Sequence, residues 1–121
     1  LAYSCLIGAE TGFGEMVRFN PRNLGGTTFA AKASGTVPLY ALDDVMEPED
    51  VEALDLIKID VEGMQMEVLM GAEAIITKRH PAIWVEVHPR EQVLDAVSVY
   101  LEGFGYTSET LGPNDRLFRV K

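Results

Sequence analysis

The sequence is poor in cysteine, in basic residues and in long apolar runs. Cys5 is the single cysteine of 121 residues, so it forms no disulfide within the chain, and we expect a small buried apolar residue in a cytoplasmic protein. Ten lysines and arginines against 19 acidic residues give a net charge of −9, which repels the phosphates of nucleic acids. No run approaches the roughly 18 apolar residues of a membrane-spanning helix. We therefore expect neither a nucleic-acid partner nor a membrane span.

The first half of the chain predicts short strands separated by glycine-rich segments. Residue Pro38 lacks the N–H that a central strand donates, so the segment around it is predicted to be an edge strand. The predicted elements are a strand at 2–8, a turn at 12–14, a strand at 15–19, a long loop at 20–35, an edge strand at 36–41 and a short helix or turn at 43–53.

The second half predicts alternating strands and helices. Residues 54–61 carry apolar residues on both faces, which is typical of a buried parallel strand. After Gly63, apolar residues recur at spacings of three and four, which predicts an amphipathic helix that Pro81 ends. A strand at 82–87, a helix after Pro89 and two strands at 107–111 and 117–120 complete the pattern.

This order predicts an α/β fold with a mostly parallel sheet, a right-handed crossover and a C-terminal β-hairpin. The chain is long enough for a single domain, which buries roughly two-thirds of the surface that the unfolded chain exposes. In this domain, residues 1–53 are expected to form a hairpin, a loop and an edge segment. Residues 54–121 are expected to form a βαβαββ core.

Acidic residues follow both predicted parallel strands. Asp60 and Glu62 end the first strand, and Glu86 and His88 end the second. Ligands of open α/β sheets bind outside the carboxyl ends of the strands, and neighbouring strands lie about 5 Å apart, so these side chains are predicted to share one cleft. Two alternatives stand beside a functional site. Asp60 or Glu62 caps the following helix, or the four residues bind a metal ion.

Other side chains near these strands have two interpretations each. Trp84 is either a core residue or a surface on which a cofactor stacks. Met64, Met66 and Met70 at the start of the first helix either fill packing gaps or line a pocket.

The same residues resemble the signature of the FkbM-type methyltransferases, and the resemblance covers nearly the whole chain. The central segment is Ile57-Lys58-Ile59-Asp60-Val61-Glu62-Gly63, followed by Glu67-Val68-Leu69, Gly71-Ala72, Pro81 and Glu86. The family's Thr-Leu-Asp-Asp-like segment is present as Ala41-Leu42-Asp43-Asp44, its Asn-x-Gly-Gly-Ser-Ser loop as Asn23-Leu24-Gly25-Gly26-Thr27-Thr28, and its glycine-rich hairpin as residues 7–15.

The resemblance implies a Rossmann-like methyltransferase that moves a methyl group from S-adenosylmethionine (SAM) to a hydroxyl acceptor, whether a small molecule, a glycan or a lipid. It implies that Asp60, which also contacts the cofactor, and Glu62 lie near the SAM methyl group. Glu86 and His88 then lie on the acceptor side. Displacement on a sulfonium needs in-line positioning and a base for the hydroxyl proton. Glu62 and His88 are the candidate bases, although a strand-end His88 held by Pro89 is the alternative.

The acceptor loop of the family corresponds to Asn23 and Gly25, which are predicted to bind substrate. We leave open whether residues 23–28 are a mobile lid or a passive surface loop.

Complete family members begin with a strand that ends in a glycine-rich turn and a second strand that ends in an acid, and neither precedes Leu1. We therefore expect a truncated fold that binds SAM weakly or not at all by itself. Residues 8–14 superficially resemble the glycine-rich turn, but such a turn opens a helix, whereas this one precedes a β-prone segment. A non-catalytic remnant that acts as a binding module is the alternative to an enzyme domain. The unpaired edge of strand 54–61 also predicts self-association, unless residues 2–8 cover it.

Overall fold

Two four-stranded sheets and five α-helices make up the part of the chain that the structure describes. The structure, a computed structural model, describes residues 4–18, 21–22 and 27–121. The sheets have the strand orders β1-β4-β2-β3 and β5-β6-β8-β7. In chain order the elements are β1 (Leu6–Ile7), β2 (Gly12–Arg18), β3 (Thr28–Ala31), β4 (Val37–Tyr40), α1 (Leu42–Val45), α2 (Pro48–Glu52), β5 (Leu56–Ile59), α3 (Gln65–Met70), α4 (Glu73–Arg79), β6 (Ala82–Glu86), a 3-10 turn (Pro89–Glu91), α5 (Leu94–Glu102), β7 (Tyr106–Thr110) and β8 (Asp115–Val120).

The second sheet combines one parallel pair with one hairpin. β5 lies parallel to β6, with Ile59 opposite Val85, and helices α3 and α4 connect the two strands. β8 pairs antiparallel with both β6 and β7. The α/β class and the C-terminal hairpin are therefore confirmed.

Both sheets are mixed, and the predicted mostly parallel sheet is wrong. Within the described ranges, the β1–β4 and β5–β6 pairs are parallel and the four other strand pairs are antiparallel. Parallel neighbours need a long crossover, whereas a short turn gives antiparallel neighbours. A helical crossover joins β5 to β6, but a short turn joins β7 to β8 and places β8 antiparallel beside β6.

β4 is a central strand of the first sheet rather than the predicted edge. Leu39 lies opposite Leu6 of β1 on one side and opposite Gly12 of β2 on the other. Among the described residues, β1 pairs only with Leu39 and Tyr40, so Pro38 has no β1 residue opposite it and its missing N–H is tolerated. Because β4 separates β1 from β2, the predicted hairpin of these two strands is also wrong.

The boundaries in the first sheet differ from those predicted. β2 begins at Gly12, so the predicted turn at 12–14 is wrong, and the chain bends at residues 9–11 instead. β3 lies within the predicted loop 20–35 and pairs with β2. Residues 8–14 lead into a strand and not into a helix. This confirms that they are not the glycine-rich turn that precedes a helix in cofactor-binding folds.

The predicted apolar stripe after Gly63 is buried, but it lies on two helices rather than one. The chain breaks between α3 and α4 at Gly71, where an added Cβ would collide with the carbonyl oxygen of Gly8. The absence of a side chain at Gly71 therefore lets the first sheet approach the helices. Ile75 is buried, and the other stripe residues form one core with the second sheet and α5, which includes Val68, Leu69, Ala72, Ile76, Ile83, Val85, Val97, Leu101 and Phe118.

Helices cover one face of the second sheet; the other, which we call the open face, has exposed side chains at β5 and the buried Leu117 near its centre. Ile59 on the covered face is 2% exposed, whereas Leu56 on the open face is 47% exposed. Trp84 is half-buried on the open face, where its Nε1 donates to Asp115 Oδ1 at 2.7 Å and its ring lies 4.8 Å from Lys58 Nζ. The predictions that β5 is buried on both faces and that Trp84 is a core residue are therefore wrong, because the core forms on the helix side of the sheet.

Candidate functional site

The carboxyl ends of β5 and β6 bring Asp60 and Glu86 together. Ile59 lies opposite Val85, so the next residue of each strand reaches the same edge of the sheet. The charge of Asp60 is the main cause that raises the pKa of the Glu86 carboxyl, and burial and a hydrogen bond with Asp60 act in the same direction. Glu86 therefore holds its proton more strongly than an isolated glutamate does.

His88 lies beside this pair of carboxyl groups. Its Nε2 is 3.7 Å from Glu86 Oε1, and its proximity lowers the pKa of Glu86 against the stronger effect of Asp60. On the other side of the ring, Nδ1 lies 3.5 Å from Asn114 Nδ2. The His88 side chain is 38% exposed, so the imidazole can exchange protons with solvent or with a bound molecule.

Glu91 and Gln65 connect the loops that follow the two strands, and neither residue was predicted from the sequence to belong to the site. Glu91 Oε1 accepts from the Gly63 N–H, and Oε2 accepts from the His88 N–H, each at 2.9 Å. The buried Gln65 donates through Nε2 to Glu91 Oε2 and to the Val61 carbonyl, also at 2.9 Å. We name these two side chains the Glu91–Gln65 cluster. The cluster holds the backbone of His88 in place through the hydrogen bond from the His88 N–H to Glu91. The sequence had suggested that Pro89 holds His88 in place.

The carboxylates after β5 do not cap the helix that follows. α3 begins after Met64 with no hydrogen bond from a capping side chain, so the capping alternative for Asp60 and Glu62 is wrong. Asp43 caps the first turn of α4 instead. Its carboxylate oxygens accept from the N–H groups of Ala74 and Ile75 at 2.9 and 3.0 Å.

Glu62 faces a pocket that joins the two sheets. Asp60, Glu62 and Met64 line one side, and Cys5 and residues of β1 and β3 line the other. The pocket has a volume of about 300 Å³. Asp60 thus borders both this pocket and Glu86, while Glu86 and His88 lie outside its lining. Cys5 lines the pocket and is only partly buried, so its predicted burial is wrong.

The remaining predicted site residues separate from this arrangement. Asn23 and Gly25 lie outside the described residues. Met64 lines the pocket, Met66 packs against the core and Met70 is 47% exposed. The described ranges contain no group of three or more His, Cys, Asp or Glu side chains arranged to hold a metal ion. Nor does any helix in them have the length and apolar character to cross a membrane.

Comparisons with known proteins identify the class and the family. The family model described as the methyltransferase FkbM domain matches residues 12–108, and the chain belongs to this family of methyltransferases. It is 35% identical over 77 residues, or 64% of the chain, to the 31-O-demethyl-FK506 methyltransferase FkbM of Streptomyces tacrolimicus. The crystal structure of the methyltransferase FkbM from Methylobacillus flagellatus KT has the same fold, with a TM-score of 0.65 and 20% identity over 98% of this chain. The chain spans 29% of the first relative and 28% of the second.

Proposed function

We propose that this chain forms the acceptor side of a SAM-dependent methyltransferase whose acceptor is a hydroxyl group. The observation that carries the proposal is the coupled pair Asp60 and Glu86, with His88 3.7 Å from Glu86, at the carboxyl ends of two parallel strands. Groups that take protons at a reaction centre are typically found where neighbouring charges shift pKa values. Membership of the FkbM family supplies the reaction class.

The hydroxyl acceptor is supported by the relative from Streptomyces tacrolimicus, whose name describes methylation of an oxygen. An oxygen acceptor loses a proton as its bond to the methyl carbon forms, so a base must lie within reach. Glu62 in the small pocket and His88 beside Glu86 are the candidates on this chain. The raised pKa of Glu86 makes its carboxyl a third group able to hold that proton.

The residues around the small pocket fit one end of SAM. When bound, SAM supplies a methyl group on a positively charged sulfur. The carboxylates of the exposed Asp60 and the partly buried Glu62 are suited to hold that charge, since opposite charges attract. Asp60 would then orient the sulfonium end, and Glu62 would orient the acceptor hydroxyl from the same pocket.

A second candidate function is a binding module without catalytic activity. Among the described residues no glycine-rich turn opens a helix, and residues 8–14 lead into β2. The ribose and adenine of SAM therefore have no recognisable site in this part of the fold. A module of this kind would bind the acceptor without transferring a methyl group.

Substitution of the two pocket carboxylates, Asp60 and Glu62, tests the proposed methyl transfer. The assay uses a full-length methyltransferase that contains this chain. We expect Asp60→Asn and Glu62→Gln each to lower methyl transfer from radiolabelled SAM by about 10²-fold, the size of a typical acid–base contribution. Neither residue caps a helix, so Glu62→Gln should keep the thermal midpoint of the parent and Asp60→Asn should be no less stable than the parent. Glu49→Gln, at an exposed position on α2, is the matched control and should retain full activity. Near-normal turnover in both pocket variants would favour the binding module.

A further inference from the structure

A second and larger cavity lies next to the small pocket. It has a volume of about 610 Å³ between the first sheet and the start of α3, which is within the range of roughly 300 to 1,000 Å³ of small-molecule sites. Its walls are mostly apolar and include Phe13, Phe29, Ala31, Leu39 and Met64. A mainly apolar molecule would therefore be the occupant that this cavity fits.

The cavity exists because small residues occupy the strand positions that face it. Gly12 lies opposite Leu39 in the β2–β4 pair, so both residues point to the same face. A Cβ added at Gly12 meets no atom within 4 Å. Ala31 pairs with Gly14, which is two residues along β2 and on the same face. Larger side chains at Gly12 or Ala31 would fill the space.

The rim of the cavity is held by specific contacts. Thr11 Oγ1 donates to Asp44 Oδ2 at 2.6 Å and accepts from the Ala41 N–H at 3.2 Å. The Gly8 N–H donates to the Tyr40 carbonyl at 2.9 Å. These bonds tie the bend at residues 9–11 to β4 and α1, so the cavity is a formed feature of the fold.

One polar group borders the cavity with an unused hydrogen-bonding oxygen. Glu67 lines it from α3, and among the described residues no donor reaches the buried Oε2 of Glu67. A hydroxyl or amine placed in the cavity could donate to the Glu67 carboxylate, and a hydrogen bond to a charged group is stronger than one between neutral groups. A carboxylate placed there would be repelled by Glu67, whereas Lys32 on the same lining is already paired with Glu15 at 3.1 Å.

The cavity and the small pocket share two walls. Phe29 and Met64 line both spaces, so a molecule that passes these side chains reaches Asp60 and Glu62. We propose that the larger cavity binds the apolar body of the methyl acceptor through its walls and through a hydroxyl or amine that donates to Glu67. The hydroxyl to be methylated then lies in the small pocket. The assignment of this molecule as the methyl acceptor rests on the proposed function, whereas the binding itself does not.

Nuclear magnetic resonance of the ¹⁵N-labelled chain tests the binding without any methyl transfer. The probe is 1-octanol, which is apolar and carries one donor, and octanoate is the anionic comparison. We expect 1-octanol to shift the amide signals of residues 8–13, 30–32 and 64, and octanoate to leave them unchanged. Gly12→Leu and Ala31→Leu should each abolish the octanol shifts. Thr36→Leu, an exposed position outside the cavity, is the matched control and should retain them.

The outcomes separate this inference from the proposed function. Equal octanol shifts in Gly12→Leu, Ala31→Leu and Thr36→Leu would overturn the cavity as the binding site, and so would the absence of shifts in the parent chain. Octanoate binding as tight as octanol binding would overturn the role of Glu67. Glu67→Gln tests the same role by a gain of binding. Because this variant lacks the negative charge, octanoate should bind to it. Inactive Asp60→Asn with normal octanol shifts would leave the cavity assignment intact, since that variant affects the reaction site alone.

Discussion

At the scale of single residues, the carboxyl pair Asp60 and Glu86 is the most informative feature. The negative charge of Asp60 at the neighbouring strand end disfavours the ionised form of Glu86 and so raises the pKa of the Glu86 carboxyl. His88 opposes this effect from its position beside Glu86. The pKa of Glu86 therefore depends on the charges of both Asp60 and His88.

We predict that Asp60→Asn lowers the pKa of Glu86 towards the ordinary glutamate value, whereas His88→Gln raises it further. Titration of the ¹³C carboxyl signal of Glu86 measures both shifts. Because the folded-state pKa of Glu86 is raised, its favourable contribution to folding is present at acidic pH and is lost as the pH rises through that pKa. Asp60→Asn should therefore gain stability relative to the parent as the pH rises through this range. An unchanged Glu86 titration in Asp60→Asn would show that the two carboxyls are not coupled.

The residue types that form the site were predictable, but their connections were not. Asp60, Glu62, Glu86 and His88 follow apolar strands, and this pattern is visible in the sequence. Glu91 binds backbone groups of other segments, and such partners are known only after folding. The spacing of His88 and Glu91, three residues apart at the start of a turn, is the local signal of a capping box that could have indicated Glu91.

At the scale of elements, the junction of α3 and α4 joins the helices to the first sheet. Gly71 has ordinary helical backbone angles, so it is not required for its conformation. Its role is to leave room for the carbonyl oxygen of Gly8. The bend that forms the rim of the larger cavity thus depends on a glycine in another part of the chain.

We predict that Gly71→Ala destabilises the chain, although alanine favours helix over glycine by up to about 1 kcal/mol. The collision with a backbone atom forces the sheet and helices apart, and overpacking of this kind typically costs about 1 to 3 kcal/mol. Thermal unfolding followed by circular dichroism should show a clearly lower midpoint. Gly12→Ala is the control, since its added Cβ meets open space, and it should change the midpoint little. Equal midpoints for Gly71→Ala and the parent would contradict the close approach.

Helices were easier to predict than the first sheet because their signal is local. Val68, Leu69 and Ile76 recur at helical spacing, and the burial of all three follows from the fact that one stripe faces the core. The position of β4 between β1 and β2 depends on pairing between distant segments, which no short window reveals. Pro38 misled the prediction because its effect depends on how far β1 extends beside it.

At the scale of the whole molecule, the outer edge of β5 has no strand partner among the described residues. β5 is the first strand of the second sheet, and no described strand lies beside its outer edge. Leu6 and Ile7 were candidates to cover it, but β1 pairs with β4 instead. An edge with unpaired N–H and C=O groups is a template for a strand of another molecule.

We therefore predict that the 121-residue chain self-associates through β5. Light scattering across a concentration series should show a mass that rises above that of the monomer. Leu56→Lys places a charge on this edge strand and should reduce the rise. Val99→Lys alters an equally apolar residue that is 70% exposed on α5, far from the edge, and should not. A monomeric mass at the highest concentrations would rule out association through this edge.

The open face of the second sheet has an optical consequence. Trp84 is the only tryptophan of the sequence, and it is half-buried on that face between the Lys58 ammonium and the Asp115 carboxylate. Indole fluorescence responds to nearby charges and to the loss of water around the ring. The single tryptophan of the chain therefore lies on the open face, and any protein segment that covers this face will change the wavelength and intensity of tryptophan emission without an added label.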